Sequence, residues 1–224
     1  MTGRLLPPLM LLLTIVTGIV DAVAYLELGH VFVANMTGNV VFLGFATADA
    51  TGLSVARSLV ALACFLAGSA GASRLTARVG DDRLHELRAA TTVQVVLWGA
   101  AILVAALAGD TLGTGSHYLL IVLLAPAMGV QNATARRLAV PELTTTVLTL
   151  TLTGIAADSW LGGGAGARTR RRVLSVAAML LGAIVGAQLL HHVAPVAPLA
   201  VGAAILVLVG GAAHRGRRTQ ALAR

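Results

Sequence analysis

Val31-Phe32-Val33-Ala34-Asn35-Met36-Thr37-Gly38-Asn39-Val40-Val41 opens an apolar run that continues to Ala48. A helix that crosses a bilayer needs about 20 predominantly apolar residues. This run is short, and amides, a hydroxyl and a glycine interrupt its middle. A second run of the same kind, Leu143–Trp160, contains Thr144-Thr145-Thr146-Val147-Leu148-Thr149-Leu150-Thr151-Leu152-Thr153-Gly154. Six further runs read as plainer spans: Leu5–Leu28, Leu53–Ala72, Ala89–Ala108, Tyr118–Ala135, Val173–Leu190 and Val196–Ala213. Whether the two polar runs cross or turn back decides between eight crossings and six.

The rest of the chain sets the medium. Of 224 residues, 57% are hydrophobic and 11% charged, against roughly 25% charged in a soluble domain. That excludes a soluble enzyme, a disordered tail and a secreted disulfide scaffold. The formal charge is +7, and all 16 basic residues are Arg. In a soluble protein such a balance suggests nucleic acid; here Arg reads as the marker of cytoplasmic span ends, with the lipid bilayer as partner and no nucleic acid. Eight crossings starting inside leave ten Arg in and six out, and starting outside reverses that. If residues 31–48 and 143–160 return to the side they came from, fifteen Arg fall inside and only Arg57 outside. The sequence therefore predicts an all-α polytopic membrane protein: six transmembrane helices plus two re-entrant or short segments, both termini cytoplasmic, in a bacterial inner membrane. No hydrophilic stretch divides it, so residues 1–224 read as one membrane domain. Arg4 and Ala22-Val23-Ala24 imitate a signal peptide and its cleavage site, but the apolar core favours an uncleaved first span.

Turning back at membrane depth requires partners for the freed backbone, from protein or from a watery cavity. Gly38 permits the turn, and Thr37 and Asn39 offer bonds to backbone groups. In the second polar run Thr145, Thr149 and Thr153 recur every four residues and share a helix face.

The two halves resemble each other, over approximately 5–108 and 118–213. Gly18-Ile19-Val20-Asp21-Ala22 aligns with Gly129-Val130-Gln131-Asn132-Ala133, Thr37 with Thr149, and Arg57 and Gly68 with Arg171 and Gly182. Each half holds one span, one re-entrant segment and two spans. Three crossings is an odd number, so the second copy is expected upside down, the construction of many transporters and some channels.

The stretch Gly18 to Leu26 followed by Val31 to Asn39 resembles the signature of the YoaK-like family of bacterial inner-membrane proteins. Met128-Gly129-Val130-Gln131-Asn132-Ala133 with Thr145-Thr146-Val147-Leu148-Thr149 is similar to its second signature, although Leu150 stands where that signature has Gly. The resemblance covers most of the chain. It implies a membrane protein and brings no activity or substrate.

Asp21 is the sharpest single residue. A carboxylate within a span costs about 2.5–3.5 kcal/mol on insertion scales and tends to face a cavity or a partner, so it is a candidate for proton exchange or for locking the fold. Asn35, Thr37, Asn39, Gln131, Asn132, Thr145, Thr146 and Thr149 are the further candidate lining of a polar pathway, with interhelical hydrogen bonding as the alternative. Pro126 predicts a kink just before Gly129. Gly18 belongs to a small, partly polar helix face with Thr17, Asp21 and Tyr25, while Gly68, Gly182 and Gly186 mark faces for close helix contact; the Gly182–Gly186 spacing equally suits a homo-oligomer. Arg57 is expected to snorkel or to pair with an acid such as Asp49. No cofactor or metal is expected: Cys64 stands alone and the His residues are scattered. Gly162 to Ala167 fits G-x-G-x-x-A without the strand that a nucleotide site needs, and no P-loop lysine, G-x-S-x-G or H-E-x-x-H motif is present, so no enzyme is expected. The reading is of a small-solute transporter or channel, for a polar solute or a proton; the alternative is a scaffold or accessory subunit whose polar centre locks helix packing.

Overall fold

A computed structural model of the chain describes residues 2–48, 52–76, 82–109, 112–140, 148–157 and 169–222. Those residues form eight helices: α1 (Thr2–Glu27), α2 (Met36–Ala46), α3 (Val55–Thr76), α4 (Arg83–Ala108), α5 (Thr114–Leu138), α6 (Leu148–Ala157), α7 (Thr169–His192) and α8 (Val196–Leu222). Six are long and apolar enough to cross a membrane; α2 and α6 are not. At 1.5 Å per residue the two short helices reach about 15–16 Å, half of a hydrocarbon core about 30 Å thick.

Close approaches set the directions of the long helices. Ile15 lies against Gly182 and Ile19 against Gly186, so α1 and α7 run the same way. Gly68 lies on Pro126, and Ala72 clusters with Val130, so α3 and α5 also run the same way. Trp98 fills the space beside Gly202, Thr91 that beside Gly210 and Leu84 that beside Gly216, so α4 and α8 are antiparallel. Were both short helices to cross, alternation would make α4 and α8 parallel. Were only one to cross, α1 and α7 would be antiparallel. With the six long helices crossing, the observed directions require that neither short helix does.

The layout has internal regularity. α1 packs on α7, and α5 on α3; α1 also meets α8, and α5 meets α4. α2 rests on α3, and α6 on α7. At the first crossing, a Cβ on Gly18 would strike the backbone of Met179 and Ala183; at the second, a Cβ on Gly129 would strike that of Phe65 and Ser69. Only glycine lets these backbones approach so closely. Ser69 closes the second crossing further, its Oγ donating to the Gly129 carbonyl at 3.0 Å.

α1 is the central element: 67% of its apolar stretch is buried, against 17% for α3. Its side chains Leu6, Met10, Leu13, Val16 and Val20 are the axis of the core, which Trp98, Leu124 and Leu206 complete from three other helices. α5 continues as helix through Pro126, whose backbone is the surface that Gly68 meets.

Sequence and structure differ on where the first re-entrant segment turns. Gly38 and Asn39 were expected at the bend, yet both lie inside α2. The deep reversal comes earlier, at Asn35 just before α2, after the chain has left α1 at Gly29 and His30, which adopt φ of 88° and 56°. The His30 amide reaches back to the Tyr25 carbonyl at 3.1 Å, and closes α1 there. Gly38 has a different use: the Phe32 ring occupies the place a side chain would take. Arg83–Arg88, ahead of the fourth apolar run, form the first turns of α4.

Candidate functional site

The site is built from the side chains of α1 outward. Asp21 projects from α1 about 9 Å below its end at Glu27, at 1.5 Å per residue, and is 4% exposed. Its Oδ1 accepts from the amides of Val33 (3.0 Å) and Ala34 (2.9 Å). Its Oδ2 accepts from the Asn35 amide (3.2 Å) and from Asn35 Nδ2 (2.5 Å). All four partners are donors, which suits an ionised carboxylate. The chain after α1 therefore folds back below the helix end. α2 then climbs beside α1, because Asn35 lies beside Asp21 and Phe42 beside Tyr25, with ring centroids 6.1 Å apart.

Asn39 completes the hold on this loop. Its Oδ1 accepts from the Phe32 amide at 2.9 Å and its Nδ2 donates to the Phe32 carbonyl at 2.6 Å. Two side chains thus satisfy four successive backbone amides, Phe32 to Asn35, that no helix pairs. Away from water, each such group left unpaired is costly. Above the loop, Tyr25, Phe32 and Phe42 stack into a lid of rings 5.3 and 5.6 Å apart. Arg57, at the start of α3, covers Gly29 and lies 5.9 Å from the Tyr118 ring centroid; Asp49, its expected partner, lies outside the described residues.

A second polar group sits lower on the same helix. Gln131 of α5 donates through Nε2 to the Leu13 carbonyl (3.1 Å) and to Thr17 Oγ1 (2.8 Å). Its Oε1 is buried without a partner, as are both amide atoms of Gln94 and the indole Nε1 of Trp98. The pairing of Glu86 with Arg137 (2.9 Å) sets α4 antiparallel to α5; counting inward, Gln94 reaches the level of Gly129–Gln131, about 12 Å from that pair. Gln94, Trp98 and Gln131 have no measurable exposure.

The expected site residues thus divide. Asp21, Asn35 and Asn39 come together around the loop, and Gln131 lies one turn down α1, at Thr17. Thr37 is exposed on α2. Asn132 bonds back to the Met128 carbonyl of its own helix at 2.9 Å. Thr149 is exposed on α6, where its carbonyl accepts from Thr153 Oγ1 at 2.9 Å. Thr145 and Thr146, like Gly162 to Ala167, lie outside the described residues. Gln94 and Trp98 carry further buried polar atoms on α4 and were not singled out from the sequence, while Thr17 was named only as part of the Asp21 helix face; for Gln94 the available signal was an amide alone in the fourth apolar run.

The profile of a family described as a protein of unknown function (DUF1275) matches residues 9–212. A transmembrane protein of Bacillus subtilis (strain 168), UPF0700 transmembrane protein YoaK, is 37% identical over 150 residues, 67% of this chain and 65% of that protein. The match therefore spans just under two thirds of the relative's length. No solved structure matches the chain.

Proposed function

This chain belongs to the DUF1275 family of unknown function, and from that premise we propose that it is a small-solute transporter or channel, without enzymatic activity, in a bacterial inner membrane. The observation that carries the reading is the group of buried polar atoms without partners inside the helix bundle: both amide atoms of Gln94, Gln131 Oε1 and Trp98 Nε1. Buried polar groups in native proteins nearly always find partners, and unfilled ones call for water, an ion or a solute. Two inverted repeats supply the frame. In support, the Gly18 crossing of α1 with α7 repeats as the Gly129 crossing of α5 with α3, with residue pairs matching at the sequence offsets of the two halves. Fifteen of sixteen Arg fall on one side, which favours cytoplasmic termini.

In this reading the Asp21 loop is the broken element and Gln94 and Gln131 are polar walls. The second reading, a scaffold, draws on the full engagement of the Asp21 carboxylate by its own loop. Reconstituted vesicles distinguish the two. Stopped-flow swelling with glycerol, urea and small zwitterions, together with a trapped pH dye, is expected to show entry above protein-free vesicles. Replacing Gln94 by Leu is expected to reduce that entry while the thermal midpoint stays or rises, because neither of its buried amide atoms has a hydrogen bond to lose. Vesicles as tight as protein-free controls toward every solute and toward protons would favour the scaffold.

A further inference from the structure

α3 and α4 both pack on α5, yet among the described residues they form no packing layer with each other, whereas α7 and α8 do. The gap is a crevice of about 490 Å³, within the range of about 300–1,000 Å³ usual for small-molecule sites. Small residues form its walls, among them Gly71 on α3 and Ala89 and Ala90 on α4. Ala67 and Gly71 are exposed, so it opens toward the bilayer. One polar group lines it: Thr134, 2% exposed, with its hydroxyl unpartnered. Thr14, Thr17 and Thr91 each bond a carbonyl one turn back along their own helices, the usual resolution for threonine in an apolar setting. Thr134 does not, and its hydroxyl is left for an occupant.

The crevice also has a direction. Leu97 to Ala89 on α4, and Pro126 to Thr134 on α5, are each about two turns, roughly 12 Å, which approaches half of a hydrocarbon core about 30 Å thick. Followed at helix spacing past Thr134, its stripes become charged: Gly71 leads to Arg74, and Thr134 to Arg137. Arg137 pairs with the buried Glu86, while Arg74 and Arg136 are exposed at that end. The geometry points to a binding site for one acyl chain of an anionic phospholipid. The tail fills the crevice, a glycerol ester carbonyl accepts from Thr134, and the phosphate meets Arg74 at the end of the Gly71 stripe. Arginines beside a membrane surface attract anionic lipid. Apolar walls, a single hydroxyl and a basic mouth match a lipid in that order. The site stands independently of any transport activity.

Native mass spectrometry of delipidated full-length protein, titrated with dioleoyl phosphatidylglycerol, phosphatidylcholine and inorganic phosphate, tests it. Wild type is expected to retain one phosphatidylglycerol in preference to phosphatidylcholine, and no phosphate alone. Gly71→Leu projects into open space, since a Cβ there meets nothing within 4 Å; it should keep the thermal midpoint and weaken phosphatidylglycerol binding about tenfold or more. Thr134→Val should weaken it several-fold, and Arg74→Gln should erase the preference over phosphatidylcholine. Unchanged phosphatidylglycerol binding in both Gly71→Leu and Thr134→Val overturns the proposal. Phosphate binding without a tail overturns the acyl part.

Discussion

Asp21 anchors the loop between α1 and α2 through four hydrogen bonds, and its replacement has a calculable sign. In Asp21→Asn, one carboxylate oxygen becomes an NH2 that faces backbone donors. Hydrogen bonds to a charged group contribute about 1.5–3 kcal/mol each, so a loss of about 3 kcal/mol in stability is expected, read as a lowered thermal midpoint in detergent. Asn39→Ala frees the Phe32 amide and carbonyl and should follow in the same direction with a smaller drop. An Asp21→Asn protein as stable as wild type would show that the carboxylate does not hold the loop. Asp82, outside the spans, makes a milder case. Burial pushes its carboxyl up, but the His85 amide, the Arg217 guanidinium and the Leu84 amide outweigh that and hold it below its ordinary 3.8. A carboxyl depressed in the folded state stabilises at neutral pH, and that contribution fades as pH falls from 3.8 through the depressed value. Asp82 caps α4, and its pair with Arg217 at 2.8 Å is largely exposed. Asp82→Ala should therefore cost about 1 kcal/mol, mostly from the cap, while Asp82→Asn should cost only the exposed pair, about 0–1 kcal/mol. Chemical denaturation at pH 7 and pH 3 measures both, and the mutant deficits should shrink at the lower pH. Asp21 could be singled out from sequence because an acid in an apolar run is rare. Asn35, one of its partners, was among the candidates, but the other bonds come from backbone amides of residues 33–35, whose approach depends on the loop's path.

The glycine crossings carry the packing of the long helices. Gly18→Val and Gly129→Val each drive a side chain into backbone that cannot yield as a flexible side chain can. Overpacking costs about 1–3 kcal/mol in ordinary cores, and both variants should reach at least the top of that range, seen as a loss of monodisperse protein on size exclusion. Gly99→Ala meets nothing within 4 Å and should be silent or slightly stabilising, as alanine is the better helix former by about 1 kcal/mol. Equal damage at Gly18 and Gly129 is the specific expectation, since they occupy matching crossings. Spacing in the chain marked Gly68, Gly182 and Gly186 as contact faces but did not say which helices would meet, nor that Gly129 would lie at such a crossing. The same limit explains the misplaced bend at Gly38. Glycine permits a turn without requiring one; the side chains of Asp21 and Asn39 draw the loop into the preceding residues, and Gly38 is left to make room for Phe32.

Topology was readable from the sequence because it depends on counts and sides. Arginine positions favoured six crossings over eight, and helix directions reach the same number from packing alone: α1 with α7 parallel, α4 with α8 antiparallel. The polar centre was only partly readable, since a Gln in an apolar run looks alike whether it glues two helices or faces a cavity. Gln131 was picked out because it adjoins Asn132 in a recurring motif, whereas Gln94 has no such neighbour. Sidedness remains the sharpest test of the architecture. Ala48 follows α2 and Ala157 ends α6, and both are exposed. In six crossings from a cytoplasmic start, Ala48 faces outside and Ala157 inside. In eight crossings from the same start, both face inside. Single cysteines at these positions, in a Cys64→Ala background, can be probed in intact cells with a membrane-impermeant maleimide. The expected result is labelling at position 48 from outside, and at position 157 only after the membrane is opened. Equal protection of both positions in intact cells would reject the six-crossing fold, and with it the inverted pairing of the two halves.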